Sequence, residues 1–154
     1  MRTFASIEEL AGAVGETLGP GPWFPIDQSR VALFADATDD HQWIHLDQER
    51  AAAGPYGGTI AHGFLTLSLL PALVGSLYRV QGVRMGVNYG LNRVRFPAPV
   101  RVGTSIRVVA TIDQVSPFDG GVQLVATATV EDEGGGKPVC VAETVSRLYT
   151  APPR

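Results

Sequence analysis

Gly63-Phe64-Leu65-Thr66-Leu67-Ser68-Leu69-Leu70-Pro71-Ala72-Leu73-Val74-Gly75-Ser76-Leu77 is the one stretch that could be mistaken for a membrane span. It is shorter than the ~20 apolar residues a bilayer demands, and Thr66, Ser68, Pro71 and Ser76 interrupt it. The run therefore predicts a buried helix from near His62 to about Tyr78. Apolar residues fall on nearly every face of that helix, so protein must surround it. At 1.5 Å per residue it would be roughly 25 Å long, about the width of a small domain.

Beyond this helix the hydrophobic period changes to two. Val122, Leu124, Ala126, Ala128 and Val130 alternate with Gln123, Thr127, Thr129 and Glu131, which predicts a half-buried strand. Ile106, Val108, Ala110 and Ile112 alternate less cleanly, and Asp119-Gly120-Gly121 between the two runs reads as a hairpin turn. A second turn at Glu133-Gly134-Gly135-Gly136 leads to a last strand over Val139 to Tyr149. Another strand spans about Val83 to Phe96 and stops at Pro97-Ala98-Pro99.

Before the helix the chain favours short helices. Ser6 with Glu9 three positions later makes a capping box, with Ile7, Leu10, Ala11 and Val14 on one face of a helix that Gly19-Pro20-Gly21-Pro22 ends. Trp23 to Ile26 reads as an edge strand. Asp27 caps a helix to about Thr38, with Val31, Phe34 and Ala35 inward, and Asp47 caps another over Gln48 to Ala53. Helices first and antiparallel strands afterwards is an α+β pattern. The simplest way to bury the apolar helix is to curl the sheet around it, the arrangement called the hot-dog fold. With no repeat and no linker, residues 1–154 read as one domain.

Composition narrows the function classes. Of 154 residues, 45% are hydrophobic and 18% charged, as in an ordinary globular protein. The formal net charge of −3, without any Lys/Arg run, argues against nucleic acid as a partner. The single cysteine, Cys140, excludes an intrachain disulfide and a thiolate metal cluster. Acidic residues stand where a signal peptide would carry its apolar core, so the expected compartment is the cytoplasm.

The three histidines, His41, His45 and His62, all lie within 22 positions, beside Asp36, Asp39, Asp40 and Asp47. An imidazole and a carboxylate together can hold a water, take its proton and return one elsewhere. A polar loop that merely collects polar residues would look the same. His41 and His45 would share a helix face, but Asp39-Asp40 breaks the helix and no His-Glu-x-x-His pattern exists, so no metal is expected. His62-Gly63 opens the apolar helix, where unpaired N–H groups suit a developing oxyanion. Gly63 as a packing residue and His62 as a cap fit the same residues equally well.

Asp40-His41-Gln42-Trp43-Ile44-His45-Leu46-Asp47, followed by Gly57-Gly58-Thr59-Ile60-Ala61-His62-Gly63-Phe64-Leu65, resembles the MaoC-like (R)-specific enoyl-CoA hydratase family. Asn88-Tyr89-Gly90-Leu91-Asn92-Arg93-Val94-Arg95-Phe96-Pro97 points to its branch named for the nodulation protein NodN. The resemblance covers nearly the whole chain. It implies a hot-dog fold paired as a homodimer. It also implies a hydro-lyase acting on a trans-2-enoyl thioester of coenzyme A or acyl carrier protein. No cofactor is implied, since coenzyme A is part of the substrate. The family's Asp-x-Asn-x-x-His motif falls on Asp40, Gln42 and His45, which maps the catalytic pair to Asp40 and His45 and the oxyanion glycine to Gly63. The chain departs from the family at Asp39, where Gly is common, and at Gln42 and Trp43, where Asn and Pro are common.

A two-residue period through Val94 and Phe96 puts Asn92, Gly90 and Asn88 on the inner face of their strand, as a polar wall of a substrate channel or as an end that reaches solvent. Arg93 and Arg95 then face outward. Two other activities fit the same fold: a hot-dog thioesterase, and a non-catalytic acyl-thioester binder.

Overall fold

The apolar run from His62 folds as a helix only in part. The computed structural model describes residues 1–150, so the last four positions of the expected 1–154 domain lie outside it. Among the described residues, eight strands and six helices follow in the order β1 (Arg2–Phe4), α1 (Ile7–Gly12), β2 (Thr17–Leu18), β3 (Phe24–Pro25), α2 (Gln28–Thr38), α3 (Trp43–Leu46), α4 (Gln48–Ala52), α5 (Gly63–Ser68), α6 (Leu70–Gly75), β4 (Tyr78–Val80), β5 (Met85–Arg95), β6 (Ser105–Phe118), β7 (Gly121–Asp132) and β8 (Cys140–Tyr149).

The predicted central helix is thus two pieces, α5 and α6, meeting at Leu69. Pro71 explains the joint, because it has no N–H to offer the Leu67 carbonyl and its ring crowds that turn. Leu69 still donates to the Leu65 carbonyl and Leu73 to that of Leu69, each at 3.0 Å, so the axis carries through. The helix ends at Gly75, not at Tyr78. Tyr78 begins β4, which pairs in parallel with β1, a small two-stranded sheet that the sequence did not suggest.

Nor is the helix enclosed on every side. Leu65, Leu69, Leu70, Leu73 and Leu77 are buried, whereas Phe64 is 69% exposed and Pro71 and Ala72 are open. One curved sheet can cover only one side of a rod, and the other side here faces out of the single chain. The buried side packs on Ile106, Val108, Ile112, Leu124, Ala128 and Ala142. Each leucine taken from water there contributes about 1.5–3 kcal/mol.

The main sheet is antiparallel, in the order β2-β6-β7-β8-β5, with β3 also on β6. This is the hot-dog arrangement. Alternation along β7 is regular, with Val122, Leu124, Ala126, Ala128 and Val130 all buried. In β5 it is not, because the pairing to β8 slips between Asn88 and Gly90 and again between Leu91 and Arg93. Each bulge adds one residue and reverses which face the following side chains take.

Candidate active site

The site grows from the end of α2. Asp27 Oδ1 caps that helix by accepting from the Arg30 N–H at 2.8 Å. At its other end Asp39 is left-handed, with φ 57° and ψ 24°, and swings the chain out of the helix. Aspartate is one of the few non-glycine residues that takes this conformation readily, which is how the turn survives without the glycine common in the family. Asp40 follows with its side chain exposed and its Oδ1 3.4 Å from the Gln42 N–H.

His41 leaves the site. Its Nε2 lies 2.9 Å from Asp36 Oδ1, and this carboxylate holds the exposed imidazole above its ordinary range near 6.5. Gln42 is exposed and stands at the start of α3 with no side-chain cap hydrogen bond.

His45 stays inside, 6% exposed on α3. Its Nδ1 lies 2.7 Å from the Ile60 carbonyl. A carbonyl only accepts, so Nδ1 carries the hydrogen and Nε2 is the bare nitrogen. The backbone behind the ring is fastened as well. Gln28 Nε2 donates to the His45 carbonyl at 2.7 Å, and Gln28 Oε1 accepts from the Thr59 hydroxyl at 2.7 Å. Burial lowers the His45 pKa below 6.5, against the opposing pull of the Ile60 carbonyl, and with nearby His62 pushing the same way as burial while Asp40 resists.

His62 is the member that sequence reading undervalued. A cap is one of the two readings open for the residue before α5, yet its side chain makes no cap hydrogen bond. Instead its Nε2–H donates to the Asp40 carbonyl at 2.9 Å, and its ring stacks on that of His45 with centroids 3.8 Å apart and planes 23° apart. Phe34 packs on the same imidazole at 4.9 Å. One ligand-type atom from each of Asp40, His45 and His62 lies within 4.8 Å of the others. A divalent ion could use such a group, although no His-Glu-x-x-His pattern marks one. The signals for His62 in the sequence are its place among three closely spaced histidines and in the stretch that carries the family resemblance.

Gly63 begins α5 against an aromatic wall. A Cβ at this position would stand 3.0 Å from the Phe96 ring, closer than real Cβ atoms ordinarily approach. A side chain here would oblige that ring to give by a few tenths of an ångström.

The two asparagines of β5 part company. Asn88 pairs with Ser146 and lines a cavity of about 800 Å³ between α5–α6 and the inner face of the sheet, with Leu67, Val74, Ala126 and Leu148 among its walls. Asn92 is a bulge residue, and its amide donates at 2.6 Å to Glu143 on the exposed side. The expected inner row of Asn88, Gly90 and Asn92 is corrected at Asn92: Asn88, Gly90 and Leu91 line the cavity, and Gly86, Asn88, Leu91 and Val94 pair with Leu148, Ser146, Thr144 and Ala142.

The chain is similar to known proteins along most of its length. The family model described as "MaoC like domain" matches residues 9–134. The chain is 56% identical over 148 residues to 3-hydroxyacyl-thioester dehydratase Z of Mycobacterium tuberculosis, covering 96% of this chain and 98% of that one. It is 42% identical to nodulation protein N of Rhizobium leguminosarum bv. viciae, covering 96% and 93%. Its fold superposes on the (R)-hydratase from A. caviae involved in PHA biosynthesis with a TM-score of 0.71, at 25% identity over 88% of this chain and 96% of that one. The chain belongs to the MaoC-like hydratase and dehydratase family, on the branch that includes nodulation protein N.

Proposed function

We propose that this protein is an (R)-specific enoyl-thioester hydratase and 3-hydroxyacyl-thioester dehydratase, a hydro-lyase whose acid–base pair is Asp40 and His45. One observation carries the assignment of residues. The bare Nε2 belongs to a buried, tautomer-fixed imidazole, and the Asp40 carboxylate stands within reach of the same point. A water held between them loses a proton to the pair as its oxygen bonds to Cβ, and a proton passes from the pair to Cα. Negative charge builds meanwhile on the thioester oxygen. In this reading the Gly63 N–H at the start of α5 receives it, aided by the helix dipole. Dehydration runs the same steps in reverse.

The substrate carries its own activating group, the thioester of coenzyme A or acyl carrier protein, and the reaction needs no cofactor or metal. The cavity beside α5–α6 begins one turn beyond Gly63, at Leu67, and suits the acyl chain. Asn88 and Ser146 supply polar atoms along its wall. Gln42, exposed beside Asp40, would meet the water or the substrate.

The working unit in this reading is a homodimer of single-domain chains. β5 ends the main sheet and leaves Met85, Val87, Tyr89 and Leu91 each 39–58% exposed, an apolar edge that a second copy would cover. No described helix is long and apolar enough to cross a membrane, and the compartment proposed is the cytoplasm.

The test is the absorbance of crotonyl-CoA, and then of longer enoyl-CoAs, at the enoyl-thioester band. Wild type should bleach the band and yield the (R)-3-hydroxyacyl product. Asp40→Asn and His45→Ala should each lose about 10²–10⁴ in rate, the range for general acid–base groups. Both variants folded and fully active would remove the assignment. Free thiol released from acyl-CoA would make the protein a thioesterase, and binding without turnover would make it a binder.

A further inference from the structure

We infer that His62 is a positioning residue for the Asp40–His45 pair, fixing the backbone that carries the carboxylate and the plane of the catalytic imidazole at once. The inference rests on the hydratase reading for its kinetic consequence, but its geometry stands alone. His62 is 3% exposed. A histidine so buried is costly unless its polar atoms are used. It does not cap its own helix. It reaches back 22 positions to the Asp40 carbonyl, whose turn is already set at one end by the left-handed Asp39.

The second attachment is to the ring of His45. The Ile60 carbonyl fixes the tautomer of that imidazole through Nδ1, but one hydrogen bond leaves the ring free to rock about its own axis. The face of His62 at 3.8 Å removes that freedom, and Phe34 holds His62 from elsewhere on its ring. The result is a relay of position: α2 through Phe34 to His62, then to His45 by stacking and to Asp40 by hydrogen bond. The His62 Nδ1 is buried and takes no hydrogen bond from the described residues. Such a cost is tolerated where a residue is held for geometry, not for its own stability.

The two attachments separate chemically. His62→Phe keeps a flat ring against His45 and loses the donor to Asp40. His62→Gln keeps a donor and loses the ring. His62→Leu loses both. A misplacement on the order of 1 Å costs ~10² in rate. For His62→Leu, kcat should therefore fall about 10- to 100-fold with KM within about threefold of wild type. His62→Phe and His62→Gln should each recover part of the loss.

The experiment measures kcat and KM on enoyl-CoA well below each melting temperature, normalised to folded protein, together with the ring ¹H–¹⁵N spectrum of His45. The expected spectrum is a single sharp Nδ1–H form of His45 in wild type, and broadened or doubled signals in His62→Leu. A His62→Leu enzyme with wild-type kcat, or one whose loss lies wholly in KM, overturns the inference, as does an unchanged His45 spectrum. Wild type without hydratase activity would remove the hydratase reading alone, and the His45 spectrum would still decide the positioning.

Discussion

His45 and Ile60 are joined by a 2.7 Å hydrogen bond from Nδ1 to the carbonyl, which leaves Nε2 as the one nitrogen of that buried ring open to a proton. Burial makes the charged form unfavourable, so His45 titrates below its ordinary 6.5. His41, four positions earlier, titrates above 6.5 because the Asp36 carboxylate lies against it. The imidazole NMR signals should show the two midpoints on opposite sides of 6.5, and Asp36→Asn should lower the His41 midpoint only. The stability sign follows. Below pH 6.5 the unfolded chain takes a proton at position 45 before the folded one does, so His45 removes stability as the pH falls from there. His41 has the reverse sense, its contribution being lost as the pH rises through its raised midpoint. A His45 midpoint above 6.5 would contradict the burial argument and with it the neutral base at working pH.

Asp39 offers a test of strain next to the chemistry. Its φ of 57° lies in the region that favours glycine, and α2 cannot end where it does without it. Asp39→Gly should be neutral or stabilise by up to about 1 kcal/mol, the lower strain being offset by the greater freedom of the unfolded chain. Asp39→Val should cost about 1–2 kcal/mol and reduce kcat as well, because the turn aims Asp40. Urea unfolding of the two variants decides it, and a valine variant as stable as wild type would show that no strain resides at this turn.

How far the sequence could carry this reading depended on the range of the interactions involved. Asp40 and His45 lie within one short motif, so chain proximity and the family resemblance were enough to single them out. The caps at Asp27 and Asp47 were equally local, each accepting from the N–H three residues on. His62 was legible as a residue but not as a role, since its partners Asp40 and His45 are brought to it by the fold. The break in the central helix was written in Pro71 and was overridden by the length of the apolar run. β1 and β4, three residues each, are too short to leave a periodic signal. The bulges in β5 left none either, because Gly86 to Arg95 mixes polar and apolar residues without a clean alternation.

Gly63 and Phe96 should be coupled. A methyl group on Gly63 would press on three atoms of the Phe96 ring at 3.0–3.1 Å, and the ring, 40% exposed, has room to move. Gly63→Ala should therefore destabilise by no more than about 1 kcal/mol, the low end of the usual cost of overpacking. In a Phe96→Ala background the same change should cost less, by at least about 0.5 kcal/mol in a double-mutant cycle. Activity should separate from stability here. If the Gly63 N–H receives the thioester oxygen, Gly63→Pro at a folded concentration should abolish turnover in both backgrounds, whereas Gly63→Ala should regain activity once Phe96 is trimmed. Additive stability effects would mean that the two residues do not press on each other.

The last prediction turns on the two bulges of β5. A strand with unbroken alternation would show Asn88 and Asn92 to the same side, and substitutions at both would then act alike. The register instead sets Asn88 opposite Ser146 at the cavity wall and turns Asn92 out to Glu143 at 2.6 Å. Asn88→Leu should change KM for enoyl-CoA by several-fold and alter preference among acyl chains, with little loss of stability since it adds apolar surface to an apolar cavity. Asn92→Leu should leave kinetics untouched and cost no more than about 1 kcal/mol, an exposed side-chain hydrogen bond being worth little. Steady-state kinetics on a short and a long enoyl-CoA, paired with melting curves, separates them. Equal kinetic effects at both positions would mean that the inner face of β5 follows the unbroken alternation and that the acyl chain takes another path.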